Sequence, residues 1–444
     1  MRKVLFASAV VLGVLLCLSE MAMVDRLPSY MKFGFDRDVD SFGNIFIVSG
    51  TCYSKSDCRY VIAKYEGGGK QLWSLEGASM GYIHDFFADV GVDAQGSVYI
   101  VQRVPVCAAA RKNRVVVTRF GCVTAKYDPN GRQVWATPFN ASNEEATDPT
   151  GIAVSKNGDV YITGTCAHVT NDFHIVHDVN DIFEDDILTR KYNRDGHLLW
   201  SVCYNGQAGN DNWPKKILVD AKGSVYVAGT TSERSQGGSQ FLTLKYDASG
   251  TLLWACCYTP RRGVFSGAES LVVDEAGNVY VLGSSMTLDD RQMELVTVKY
   301  DMNGEQQWVA RYSDHDKKSA NPAAVALDAE GRVYIVGYIS HSLWQAYDQD
   351  TLSNATGEFV TIKYNTAGKE EWAAKYEKPL SAEGWISGIR IDDRGNTYLI
   401  GQIGSEVFIV KYDSEGKQQW TKQCGILSEF LKVLSTLYDS GMQR

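Results

Sequence analysis

The sequence predicts an all-β chain, a seven-bladed β-propeller of four-stranded antiparallel blades, with an N-terminal signal segment and a short C-terminal helix. Three repeated marks carry that prediction. A Trp recurs at Trp73, Trp135, Trp200, Trp254, Trp308, Trp372 and Trp420, each four residues after a Gly. A Lys-Tyr pair precedes each Trp, at Lys64-Tyr65, Lys126-Tyr127, Lys191-Tyr192, Lys245-Tyr246, Lys299-Tyr300, Lys363-Tyr364 and Lys411-Tyr412. Upstream of each pair lies a turn of the form Asp-x-x-Gly, from Asp40–Gly43 to Asp392–Gly395, with Ser155 replacing Asp in the third copy.

The fourth and fifth copies give the minimal unit. In the fourth, apolar runs end at Val219, span Ser224–Gly229 and Phe241–Asp247, and close with Thr251–Tyr258. Val, Leu, Tyr and Trp favour a pleated surface, and the Asp, Asn and Gly between them supply the positive φ of tight hairpins. Each copy is therefore a four-stranded meander. Middle strands such as Val279–Leu282 are apolar enough to be covered on both faces, so copies must stack face to face around an axis. The length of 444 residues would otherwise suggest two to four domains, and the repeat reduces them to one.

The run from Ile152 to Gly164 and the run from Phe241 to Trp254 resemble the seven-bladed β-propeller repeat of exported bacterial proteins. The resemblance covers residues 33–424 and implies architecture but no catalytic residues. The copy from Phe33 to Trp73 departs most, having Ile45-Phe46 where the others have Val-Tyr or a close variant.

Before the repeats, Arg2 and Lys3 precede an apolar run from Val4 to Leu18, short for a membrane span and suited to the core of a signal peptide. Residues 1–22 are expected to be a signal peptide, with an uncleaved N-terminal anchor or lipidation of Cys17 as alternatives. Each places the chain outside the cytoplasm, in the periplasm, in the cell envelope or secreted. After the repeats, Leu427, Phe430, Leu431, Leu434, Leu437 and Tyr438 fall at helical spacing, so residues 425–444 are read as an amphipathic helix docking on the ring.

Composition narrows function by exclusion. A net charge of -9 lacks the basic surface a phosphate backbone requires, so no nucleic-acid partner is expected. No nucleophile elbow, phosphate loop or zinc-protease helix appears. Residues repeated in every copy answer one packing problem many times. Of these, the Lys in each apolar third strand needs a partner for its ammonium, and the turn Asp or a carbonyl is expected to supply it.

Function is therefore sought where symmetry breaks. The first-to-second and third-to-fourth turns lie on one face and are short, and the remaining loops lie on the other. From turn Gly to Trp the spacing is 31 residues in copies four and five but 39, 42 and 41 in copies two, three and six. The blade-three insertion, Cys166–Asp186, offers His174, His177 and Asp178 as ligands for a divalent metal. Their spacing matches no tight ligand signature, and a solvated acidic loop is the plainer reading; no cofactor is expected. His341, Trp344 and Tyr347 in the blade-six insertion, with Trp213 and Trp385 in blade-to-blade loops, are candidates for binding a partner or sugar, against the alternative that they pack the insertions down. An exported compartment permits disulfides, and Cys52–Cys58 and Cys107–Cys122 each close a short loop. The adjacent Cys256 and Cys257 point to opposite faces of a strand, which favours free thiols over a vicinal bridge.

These features lead to the expectation of an exported, monomeric, non-catalytic propeller that binds a protein or envelope component through its long-loop face. It would touch a membrane only through its N-terminal segment. The alternatives are an enzyme similar to the quinone dehydrogenases, which share the Gly-x-x-x-Trp element but usually have eight blades, or a carbohydrate-binding propeller.

Overall fold

The computed structural model describes residues 35–424 except the connecting segments 40–43, 55–56, 67–69, 80–87, 110–116, 139–145, 170–182, 207–209, 234–237, 261–263, 288–291, 315, 317, 341–357, 377–383 and 404–405. The signal segment, the C-terminal tail, and His174, His177, Asp178, His341, Trp344 and Tyr347 therefore lie outside the described residues. Among the described residues, no helix is long and apolar enough to cross a membrane.

The chain is a seven-bladed β-propeller. Among the described residues, twenty-eight strands form seven four-stranded antiparallel sheets, and in each the strands pair in chain order. Blade four is representative, with strands Asn210–Val219, Val225–Glu233, Ser239–Tyr246 and Leu252–Tyr258. Its third strand is buried throughout all but its first two residues, whereas the fourth alternates between exposed and half-buried positions. Sheets thus bury both faces of their middle strands and expose one edge. The apolar clusters lie between blades: Phe241 of blade four, for example, packs with Val281 and Val296 of blade five.

The repeated Gly and Trp serve neighbouring blades. In the third-to-fourth turn of blade six, Gly368 has φ +77°, and a Cβ placed on it would stand 2.5 Å from Cδ2 of Trp308 in blade five. Trp308 Nε1 donates to the carbonyl of Thr366 in that same turn at 3.0 Å. The arrangement recurs from Trp73, which bonds Pro129 O, through Trp372, which bonds Ser414 O. The Gly-x-x-x-Trp spacing therefore encodes a socket for the preceding blade followed by a plug for the next.

The repeated Asp, Tyr and Lys form a second unit. The turn Asp accepts from one or two backbone amides of its own hairpin and from the second-strand Tyr hydroxyl, as in Asp93–Tyr99 at 2.9 Å and Asp392–Tyr398 at 3.0 Å. The Lys ammonium lies over that Tyr ring, 4.9 Å from the Tyr99 centroid for Lys126 and 5.1 Å from Tyr226 for Lys245. Lys245 also donates to Met302 O at 2.9 Å. The expected carbonyl partner is thus present, while the turn Asp mainly binds the phenol; Lys126 lies 3.8 Å from Asp93. Burial presses the Lys126 and Lys245 ammonium groups below the ordinary lysine range. Burial opposes the charge on Lys191 as well, but its contacts with Tyr161 and Asp159 outweigh burial and raise it.

One device is invisible in the repeat marks. In blades three to seven the first strand carries a register shift opposite a second-strand Gly. In blade four a Cβ on Gly229 would stand 2.1 Å from Trp213 O, so the strands come together only where this side chain is missing.

Candidate functional site

The long-loop face is formed where first strands begin and second strands end, and blades three and four carry its least symmetric features. The segment Cys166–Asp186 is not all loop: the second strand of blade three runs to Val169, and the third strand begins at Phe183. Asp185 and Asp186 are therefore consecutive strand residues and project to opposite faces of the blade.

Asp185 serves the seam with blade four. Trp213 lies within the first strand of that blade rather than in a connecting loop, and its Nε1 donates to Asp185 Oδ2 at 2.8 Å. The Asp185 amide donates to Asp211 Oδ1 at 3.3 Å. The Trp213 side chain stays 38% exposed. Its edge is fixed by a carboxylate and part of the ring reaches solvent, whereas the repeat tryptophans are plugged into sockets. Trp385 holds the equivalent place in blade seven: it is the Cα partner of Gln402, as Trp213 is of Thr230.

Asp186 projects toward blade two and sits beside two thiols. Cys166 on the second strand is its Cα partner, and Cys203 on the fourth strand is the partner of Leu188. The two sulfurs are 2.9 Å apart, and Cys203 Sγ lies 4.0 Å from Asp186 Oδ2. Cys166 and Asp186 are buried, at 1% and 3% exposure, and Cys203 is exposed. The three donor atoms lie within 4.8 Å of one another.

The same register position in other blades holds an ion pair. In blade five, Glu294 and the partner of Val296, Arg311, form a salt bridge, and Arg311 also donates to Tyr258 Oη of blade four at 2.8 Å. In blade six, Glu358 and the partner of Val360, Lys375, stand 3.8 Å apart, with Lys318 at 2.7 Å from Glu358 and Asp314 at 2.5 Å from Lys375. Burial opposes the charge on Asp314, but Lys375 holds its carboxyl below the usual range. Through Tyr258 and Pro260 O, Arg311 of the blade-five pair also reaches across to blade four. In blade three the cation is replaced by Cys203, and Ser285 or Ile339 by Cys166.

The remaining cysteines divide. Cys52 and Cys58 are direct Cα partners across a hairpin. Cys107 and Cys122 are not: Cys107 faces Arg119 and Cys122 faces Arg103. Three residues along a strand is about 10 Å, beyond the roughly 7 Å of Cα separation a disulfide spans. That pairing is therefore corrected by the register, which a loop count alone could not supply. Cys256 and Cys257 are free, and Cys256 donates to Gly304 O of blade five at 3.0 Å.

No family model and no curated protein matches this sequence. Among solved structures, the chain is similar to an ulvan lyase described as a new family of polysaccharide lyase, at 11% identity and a TM-score of 0.50, over 89% of this chain and 94% of that one. It is also similar to the apocarotenoid oxygenase of Synechocystis, at 14% identity and a TM-score of 0.39, over 63% of this chain. The chain spans only 62% of the length of that oxygenase. These are likenesses of fold. The ulvan lyase is an enzyme by name, and on that finding the expectation of a non-catalytic scaffold is withdrawn.

Proposed function

We propose that this chain is a propeller enzyme that acts on a glycan laid across its long-loop face and seated on Trp213. The observation that carries the reading is a partly exposed indole, outside the repeat positions, whose edge is tied to Asp185. Such a ring offers an apolar platform to the C–H face of a pyranose, and adjoining carboxylates accept from sugar hydroxyls. Asp185, which holds the indole edge, and Asp211, which bonds the Asp185 amide, are the carboxylates assigned that role. The end-to-end likeness to a polysaccharide lyase supports the glycan class as substrate. The reading includes export, supported by the charged start and apolar run of residues 1–22, and a Cys52–Cys58 bridge, supported by their register.

The test is incubation of the full chain with neutral and uronate-containing polysaccharides, scoring new reducing ends together with the ultraviolet absorbance of unsaturated uronate. Reducing ends with absorbance mean elimination, and reducing ends alone mean hydrolysis. Trp213→Ala is expected to weaken substrate binding about 10-fold, the equivalent of one aromatic contact, with Trp213→Phe in between. No shortened polysaccharide, or full activity in Trp213→Ala, overturns the reading.

A further inference from the structure

We infer that Cys166, Asp186 and Cys203 form a binding site for a thiophilic divalent cation of the zinc class, on the side of blade three away from Trp213. The argument begins from the register. Blades five and six place a carboxylate and a cationic side chain at this position, Glu294 with Arg311 and Glu358 with Lys375. Blade three keeps the carboxylate, Asp186, but substitutes a thiol for the cation and adds a second thiol opposite.

Ligand chemistry selects the ion. Two thiolates and a carboxylate suit a borderline-soft metal, and hard cations such as calcium or magnesium prefer all-oxygen sets. Three protein donors leave one tetrahedral position open, facing the exposed side of Cys203.

Geometry separates the metal from the obvious rival, a disulfide. Cys166 and Cys203 belong to the second and fourth strands, with the third between them. Their sulfurs stand 2.9 Å apart, beyond the roughly 2.05 Å of a covalent S–S bond. A bridging ion reaches further. Two sulfurs at about 2.3 Å from a tetrahedral zinc stand about 3.8 Å apart, against 2.9 Å between these thiols. Rotation of the exposed Cys203 side chain supplies that opening.

The experiment uses the full chain, reduced and stripped with a chelator, then titrated with Co²⁺ and, in competition with a chromophoric chelator, with Zn²⁺. The expected result is one ion per chain, with sulfur-to-cobalt charge-transfer absorption and the visible bands of a tetrahedral site. Cys203→Ser is expected to weaken binding by more than about 100-fold, the upper end of what losing a mere supporting partner costs. Cys203→Arg recreates the blade-five pair with Asp186. It is expected to fold and melt like the metal-loaded protein while binding no cobalt, which separates ligand loss from misfolding. Cys257→Ser is expected to leave the spectrum unchanged. Cobalt thiolate bands that persist in Cys203→Arg overturn the assignment, as does mass-spectrometric mapping that finds Cys166 and Cys203 covalently joined in unreduced protein.

Discussion

Replacing Gly368 by Ala tests whether the plug and socket hold the blades together. The proper comparison is Gly331→Ala, because the two glycines share one conformation, φ +77° and +78°. Each alanine incurs the left-handed cost of about 1–2 kcal/mol. Their surroundings differ. At Gly331 the nearest atom to a new methyl is Thr366 Cγ2 at 3.9 Å, an ordinary contact, whereas at Gly368 two ring carbons of Trp308 stand at 2.5 and 2.7 Å. The indole cannot retreat without stretching its bond to Thr366 O. Overpacking of this kind adds about 1–3 kcal/mol, so Gly368→Ala is expected to lose about 2–5 kcal/mol and Gly331→Ala about 1–2. Urea unfolding followed by tryptophan fluorescence and near-ultraviolet circular dichroism measures both. Equal losses would refute the socket, leaving Gly368 as a turn residue only.

Other expectations follow from the same geometry. Lys375→Met leaves the buried Asp314 without its ion partner and is expected to cost about 3–5 kcal/mol by denaturant unfolding, as breaking a buried pair does. Asp314 and Asp392 are both opposed by burial, yet Lys375 in one case and the bonds from Asn396 and Tyr398 in the other hold them below the usual carboxylate range. A depressed folded value gives stability present above the unfolded value of about 3.9 and lost as pH falls through the folded one. Asp392→Asn should therefore flatten the acid limb of a stability-versus-pH curve. Burial pushes the Cys256 thiol up to about 11. Native protein at pH 8 should leave Cys256 unlabelled by iodoacetamide, with labelling appearing in urea, as peptide mapping would detect.

The fold was legible because one packing solution is written seven times. The glycines and tryptophans mark it in the sequence, and the structure adds that each pair joins different neighbours. What escaped the sequence were features that depend on register. Cys166, Asp186 and Cys203 come together on a diagonal over three strands, so no linear spacing announces them. The available signal was a comparison across repeats: five residues before the paired Lys stand Asp186, Glu294 and Glu358, and three after the Trp stand Cys203, Arg311 and Lys375. Trp213 was legible as an aromatic outside the repeat, but its place in a strand was not, because the bulge opposite Gly229 lengthens that strand past Pro214. The partner of the repeated Lys was only half legible, since the turn Asp is occupied by a phenol that reaches it first.

The directional joint between blades also bears on how the chain assembles as it leaves the ribosome. Each of the six indoles from Trp73 to Trp372 finds its acceptor 42 to 59 residues further along. A blade emerging from the exit tunnel therefore presents an unseated tryptophan until most of its successor has been made, and closure of each seam lags synthesis by one repeat. The growing end always carries an open plug, so early blades lock in order from the N-terminal side. An internal duplication of one whole repeat would bring its own socket and plug and slot between any two others, and nothing in the joint itself counts to seven.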